Sequence, residues 1–194
     1  MSCEIIVASG NRHKVQEIRE ILAPLGYDVK SANDVGGMPD VLEDADTFVG
    51  NATKKAVEGA KALGRMVLAD DSGLEVFALN GEPGVYSARY AGEGGNDGRN
   101  LAKLLAKMDG MTDRTARFVC VIAVATPDGL VGTAEGEVRG RMALAPAGQG
   151  GFGYDPAFIP DGYDQTFGEL PQEVKNLLSH RSNALKSAIA KGLL

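Results

Sequence analysis

The sequence predicts a mixed α/β fold, a twisted and largely central sheet with flanking helices. Two observations carry that prediction. Short apolar runs of strand length alternate along the chain with longer segments whose apolar residues recur at helical spacing. The chain also opens with a strand, a tight turn and a helix in direct succession. Glu4 to Ala8 is the first strand; after Ser9-Gly10-Asn11, the spacing of Val15, Ile18, Ile21, Leu22 and Leu25 gives one apolar helix face. Tyr27 to Ala32 reads as a second strand, and a Gly/Pro/acid-rich loop runs from it through Asp46. A long Ala/Lys helix covers Phe48 to Leu63, and Met66 to Ala69 returns as a buried strand that Gly73 to Leu79 extends or turns into a hairpin. Asn80-Gly81 is a turn signal. Asn96 to Met108 is a helix with Leu101, Leu104, Leu105 and Met108 inward, and Phe118 to Ala125 is the strongest strand. Pro127-Asp128-Gly129 turns the chain into Leu130 to Arg139, whose small and charged residues suit an exposed or edge strand. Gly148 to Gly153 reads as a flexible loop, Pro156 to Ile159 as a short strand, and Pro171 onward as two helices broken near Ser179-His180.

With 194 residues, 44% of them hydrophobic, the chain has material for one good core and reads as a single domain, residues 1–194, with room for a lobe. No window approaches the roughly 20 apolar residues of a membrane span, and no charged n-region leads into an apolar stretch. A cytoplasmic protein without a membrane partner is expected. Cys3 and Cys120 lie in apolar strand-like runs without metal or redox spacing, so both are expected to be buried, reduced thiols. A net charge of −6 without a block of Lys and Arg lacks the footprint of a protein that grips duplex phosphates, which excludes nucleic acid as the expected partner.

Four stretches carry possible chemistry. In "ASGNRHK", Ala8 to Lys14, a strand hands over to a helix, so backbone N–H groups converge where a phosphate can bind. Gly10 lets the backbone come close, Asn11 can cap the helix, and Lys14 can reach back as a point charge. An ordinary βα turn with a surface lysine has the same composition. In "LADDSG", successive strand residues point to opposite faces, so Asp70 and Asp71 cannot both be buried against one layer. At the C-terminal end of a strand, at least one of them should face a ligand crevice, where a carboxylate suits Mg²⁺; Ser72 adds a hydroxyl and Gly73 permits a turn. The plainer alternative is a hairpin turn with solvated acids. "GGFGYDPAF", Gly150 to Phe158, offers close backbone approach and an aromatic, Phe152, able to stack on a base, with Asp155 beside it. "VKNLLSHRSNAL" places Lys175, His180 and Arg181 around a helix break, where they crown a pocket or snorkel at the surface. Together these are the parts of a nucleoside triphosphate site without a GxxxxGK[ST] loop.

The ordered set "SGNRHK", "TFVGNATKKA", "LADDSGLEV", "PGVYSARY", "GGFGYDP" and "SHRSNAL" closely resembles the inosine triphosphate pyrophosphatases over essentially the whole chain. These enzymes hydrolyse noncanonical purine nucleoside triphosphates, ITP, dITP and XTP, to the monophosphate and pyrophosphate with Mg²⁺. The resemblance implies an elongated, two-lobed mixed sheet with a central nucleotide cleft, usually in a homodimer. It implies triphosphate binding by Ser9, Gly10, Asn11, Arg12, His13 and Lys14, with Lys55 assisting. Asp71 would be general base and metal ligand, Glu43 a second Mg²⁺ ligand and Ser72 a substrate contact. Phe152, Gly153, Tyr154 and Asp155 would hold base and sugar, while Lys175, His180 and Arg181 close over the nucleotide. Donors such as His180 or Arg181 would favour a 6-keto purine over adenine. Asp71 is expected to ionise near the ordinary carboxylate value of about 4. Three positions depart from the family pattern: Gly50 stands where Glu is common, Ser9 where Thr is frequent, and Val174 where an acid is common. Two rivals differ in recognisable ways. Maf-like pyrophosphatases of pyrimidine or modified nucleotides lack the Ser179-His180-Arg181 motif, and a non-enzymatic nucleotide sensor would not need Asp71.

Overall fold

The computed structural model describes residues 3–194, and the side chains of 4–194. The expectation for the Cys3 thiol therefore lies outside the described residues. Strand β1 (Cys3–Val7) leads through a short turn into helix α1 (Arg12–Leu22). Asn11 starts that helix as an extended cap whose side chain accepts the N–H groups of His13 and Lys14. The buried face of α1 is Val15, Glu17, Ile18 and Leu22. Leu25, expected on that face, is exposed, because the α-helix stops at Leu22 and a 3₁₀ turn containing Pro24 follows, closed by Gly26. Strand β2 (Tyr27–Ser31) and the loop beyond it precede α2 (Phe48–Leu63), capped by Thr47 and stopped by left-handed Gly64.

Strand β3 (Val67–Val76) settles an open choice: of the two alternatives for Gly73 to Leu79, the strand is extended rather than turned into a hairpin, and it runs straight through Asp70, Asp71, Ser72 and Gly73. Both acids find cationic partners, one on each face of the strand, so nothing drives the chain out to water there. The turn comes later, with Asn80 in the left-handed region. Helix α3 (Asp97–Lys107), strands β4 (Thr115–Thr126), β5 (Gly129–Met142) and β6 (Phe158–Pro160), and helices α4 (Gln172–Leu178) and α5 (His180–Ala190) complete the fold.

The six strands form one mixed sheet in the order β2-β1-β3-β4-β5-β6. β1 pairs in parallel with β2 and β3, whereas β5 and β6 pair antiparallel. β5 is thus not the edge strand expected. Its neighbour β6 meets only Gly140, Arg141 and Met142, however, and the earlier part of β5 keeps the half-exposed pattern that its composition indicated.

The chain divides into two compact units, one of residues 1–71, 120–136 and 181–194, the other of 72–119 and 137–180. Each has its own apolar core. In the first, Ile5 and Val7 of β1, Ile18 and Leu22 of α1, Cys120 and Ile122 of β4, and Leu185 of α5 pack together. In the second, Leu74 and Val76 of β3, Leu104 of α3, and Phe118, Phe158 and Phe167 do so. Cys120 is the buried free thiol expected. Among the described residues no helix is long and apolar enough to cross a membrane.

Candidate active site

The first unit holds the turn and the acid pair. Ala8 N–H donates to Leu68 O at 2.7 Å, fastening the turn to β3. Ser9 Oγ accepts Asn11 N–H at 3.2 Å, and Asn11 Oδ1 accepts His13 N–H at 2.9 Å and Lys14 N–H at 3.2 Å. Gly10, Asn11, Arg12 and His13 are exposed, and a Cβ on Gly10 would meet nothing within 4 Å. The helix start is therefore capped and open to approach, the chemistry that a phosphate requires. Lys14 is half-buried, and its Nζ donates to Asp70 Oδ1 at 2.6 Å.

Asp70 is the centre of a buried charge network. Its second oxygen accepts Arg181 Nε at 2.8 Å and the Cys120 thiol at 3.1 Å. Arg181 Nη1 also donates to Glu17, a buried carboxylate on the core face of α1. Burial alone would raise the Asp70 pKa, but Arg181 and Lys14 outweigh it and hold the carboxyl well below its ordinary value. Burial, together with the Asp70 charge, pushes the Cys120 thiol well up. Arg181 is 1% exposed. The surface-snorkelling alternative for this residue is excluded, and its guanidinium is committed to two acids inside this unit.

Asp71 sits on the other face of β3 in different company. Lys55 Nζ donates to Asp71 Oδ1 at 2.8 Å and lies 3.4 Å from Glu43 Oε1, so one ammonium gathers two carboxylates. Burial raises the Asp71 pKa; Lys55 and Lys14 oppose that rise, and nearby Glu43 adds to it. The result lies above the ordinary carboxylate value, contrary to the expectation of an unperturbed group. Lys55 itself is held protonated: burial works against its charge, but Asp71 and Glu43 prevail. Solvated acids, the plainer alternative for Asp70 and Asp71, are excluded at 1% and 6% exposure.

The donor set fits a hard divalent cation. Glu43 and Asp71 are oxygen ligands drawn to a single positive charge, and Mg²⁺ binds through one or two carboxylates plus substrate phosphates and water rather than in an all-protein cage. Among the described residues no group of three or more His, Cys, Asp or Glu is placed to hold a metal ion.

The second unit holds the glycine-rich loop and the lysine and histidine of the C-terminal motif. The loop is not the flexible connector expected. Asp155, buried, accepts Phe152 N–H at 2.8 Å and Lys175 Nζ at 2.5 Å through one oxygen, Asp97 accepts Gly153 N–H at 2.8 Å, and Tyr154 OH donates to Ser87 O at 2.8 Å. Gly151 makes this possible: its φ of +71° suits glycine, and a Cβ there would collide with the Asp155 carboxylate. Lys175 Nζ lies 5.0 Å from the Phe152 ring centroid. His180 stacks on Phe118 with centroids 4.7 Å apart and planes at 12°. Lys175 and His180 are buried, so neither snorkels at the surface. Ser72 belongs to this unit as a half-buried strand residue, with no turn at Gly73.

Three residues escaped the sequence reading. Glu17 stands among Val15, Ile18 and Leu22 on a buried helix face, three residues after Lys14, and an acid on an apolar stripe was the available signal. Asn51 is fully buried and grips Ala45, and Asp97 opens α3 while holding the glycine-rich loop. Asn51 stood inside the motif "TFVGNATKKA" without a role of its own, and Asp97 had only common capping composition.

Comparison with known proteins gives the family. The Ham1 family model matches residues 5–191. The chain is 51% identical over 188 residues to the dITP/XTP pyrophosphatase of Desulforamulus reducens, covering 96% of this chain and 94% of that protein. It is 49% identical over 185 residues to the dITP/XTP pyrophosphatase of Bacillus subtilis, covering 94% and 93%. The Staphylococcus aureus Ham1 protein structure superposes with a TM-score of 0.84 at 46% identity, over 98% of this chain and 100% of that one. With the capped turn, the divided acid pair and the pinned glycine-rich loop all present in a chain matched almost from end to end, this protein belongs to the Ham1 family.

Proposed function

We propose that this protein hydrolyses noncanonical purine nucleoside triphosphates, dITP, XTP and ITP, to the nucleoside monophosphate and pyrophosphate. The observation that carries the proposal is Asp71, buried and paired with a lysine that also holds Glu43. The names of the relatives at about half identity supply the substrate class.

In this reading the turn from Ser9 to Lys14 receives the triphosphate at the start of α1, with Lys55 nearby as a second point charge. Glu43 and Asp71 would hold Mg²⁺, which when bound would supply positive charge against the phosphates and Lewis-acid polarisation. Asp71 accepts a proton from the attacking water, whose oxygen bonds to the α-phosphorus as the bond to the bridging oxygen breaks. Pyrophosphate leaves with that oxygen, its charge met by Lys14 and Lys55. Phe152 stacks on the base, Gly153 to Asp155 shape the base and sugar site, and Lys175 and His180 supply donors on the base side. Ser72 is a substrate contact. Arg181 serves by holding Asp70 and Glu17, and through Asp70 it keeps Lys14 in place. A homodimer acting in the cytoplasm on small nucleotides is part of the same proposal.

The deciding experiment is pyrophosphate release from ITP, dITP, XTP, ATP, GTP and dTTP, with and without Mg²⁺. Mg²⁺-dependent release from the first three, with little from the others, is the expected result. Preference for dTTP would move the protein to pyrimidine chemistry, and binding without release, unchanged by Asp71→Asn, would make it a sensor.

A further inference from the structure

Glu43 lies in a loop without regular structure, and a carboxylate on a loose loop would make a poor ligand. The loop is fastened to α2 instead. Asn51, 0% exposed, accepts Ala45 N–H through Oδ1 at 3.0 Å and donates from Nδ2 to Ala45 O at 3.2 Å, gripping both polar groups of that residue. One turn on, Lys54 Nζ donates to Leu42 O at 3.0 Å and to Asp44 Oδ1 at 2.6 Å. Glu43 is thus bracketed by residues tied to α2, the helix that also carries Lys55. The approach is close enough to constrain position 50: a Cβ on Gly50 would stand 2.7 Å from Ala45 Cβ and 3.1 Å from Thr47 Oγ1. The glycine that departs from the family pattern is therefore fitted to this loop.

We propose that Asn51 is a positioning residue for Glu43, its buried amide fixing the backbone of Ala45 so that the Glu43 carboxylate meets Lys55 and Asp71, with Gly50 giving the loop room to close. The assignment rests on the reading that Glu43 and Asp71 hold a divalent cation. An amide at this position has little reason to be fully buried for helix stability alone, since Asn is a poor helix former and its side chain is spent on the loop.

The test compares Asn51→Ala and Gly50→Ala in the full chain. Mn²⁺ binding is followed by electron paramagnetic resonance in the presence of a non-hydrolysable dITP analogue, and analogue binding is measured separately in EDTA. Losing a group that orients a ligand typically weakens metal affinity 10- to 100-fold, so Asn51→Ala should raise the Mn²⁺ midpoint by about tenfold and Gly50→Ala by a smaller factor. Metal-free analogue binding should stay at the wild-type value, since the phosphate turn and the base loop are untouched. A wild-type Mn²⁺ midpoint in folded Asn51→Ala overturns the assignment. If that variant does not fold, a wild-type midpoint in Gly50→Ala overturns it. Equal weakening of metal and metal-free nucleotide binding also overturns it, because that pattern is general loosening. If the wild-type protein itself binds no Mn²⁺ with the analogue, the metal reading fails first; if it does bind and only the variants behave as wild type, the positioning role alone is lost.

Discussion

Asp70 and Asp71 are one peptide apart, yet β3 turns them to opposite faces, and the two faces give the same side chain opposite properties. Asp70 meets two cations, Lys14 and Arg181, and a thiol, and its carboxyl is held well below the ordinary value. Asp71 is bonded to one cation that it shares with Glu43 and feels Lys14 only through space, and burial leaves its carboxyl above the ordinary value. An acid whose charge is more than matched is a fixed anion; an acid whose charge is under-matched is ready to take a proton. The charges around each carboxylate, rather than burial, separate the two aspartates, since both are buried.

Single substitutions should break that contrast in different measurements. Asp71→Asn should have the largest effect on turnover, a loss on the order of 10²–10⁴-fold as expected for a general base, while nucleotide binding persists. Retention of wild-type pyrophosphate release would remove Asp71 from the chemistry. Asp70→Asn should act chiefly on stability. Removing one partner of a buried pair costs about 3–5 kcal/mol, read as a lower denaturant midpoint, because Arg181 and Lys14 lose their shared counter-ion.

The pH dependence sharpens the same comparison. Because the folded pKa of Asp70 is depressed, its stabilisation is present above its unfolded value of about 3.9 and is lost as the pH falls through the lower folded value. The stability difference between wild type and Asp70→Asn should therefore stay level from neutrality to near that unfolded value and shrink below it. Asp71 is raised, so its protonated form is the one that folding favours: that contribution is present below the unfolded pKa and is lost as the pH rises through the folded one. In the metal-free protein the stability of wild type relative to Asp71→Asn should accordingly fall as the pH rises through the folded value, read from denaturant midpoints, and a difference that rises with pH would show Asp71 to be stabilised as the anion.

Smaller effects should come from the periphery. Gly151→Ala forces a left-handed residue and pushes on Asp155, costing about 1–3 kcal/mol of local strain, and should raise KM with less effect on kcat. Cys120→Ser keeps a donor toward Asp70 at similar size and should shift stability by about 1 kcal/mol or less, measured by thermal unfolding.

Most element positions were legible because they depend on periodicity and local punctuation. The α2 boundaries follow from an uninterrupted Ala-rich stretch, a Thr cap and a Gly stop, all within reach of one helix. The capped turn at Asn11 is equally local. For β3 the sequence left extension and a hairpin at Ser72-Gly73 both open, since a turn-like tetrapeptide stays extended only when neighbouring strands and paired charges hold it. The roles of Glu17, Asn51 and Asp97 were hidden for a related reason: each is defined by a partner elsewhere in the chain, Arg181, Ala45 and Gly153 respectively.

By itself the sequence determined the alternation of elements, the phosphate-type turn, the set of acids and cations, and a family resemblance spread over the whole chain, because these are properties of short segments and of their order. Tertiary structure decided which aspartate is neutralised and which is poised, that Arg181 points at two acids, and that the glycine-rich loop is pinned. Those outcomes depend on distances between residues such as Asp70 and Arg181, 111 positions apart, and electrostatic energy falls with separation in space, not along the chain.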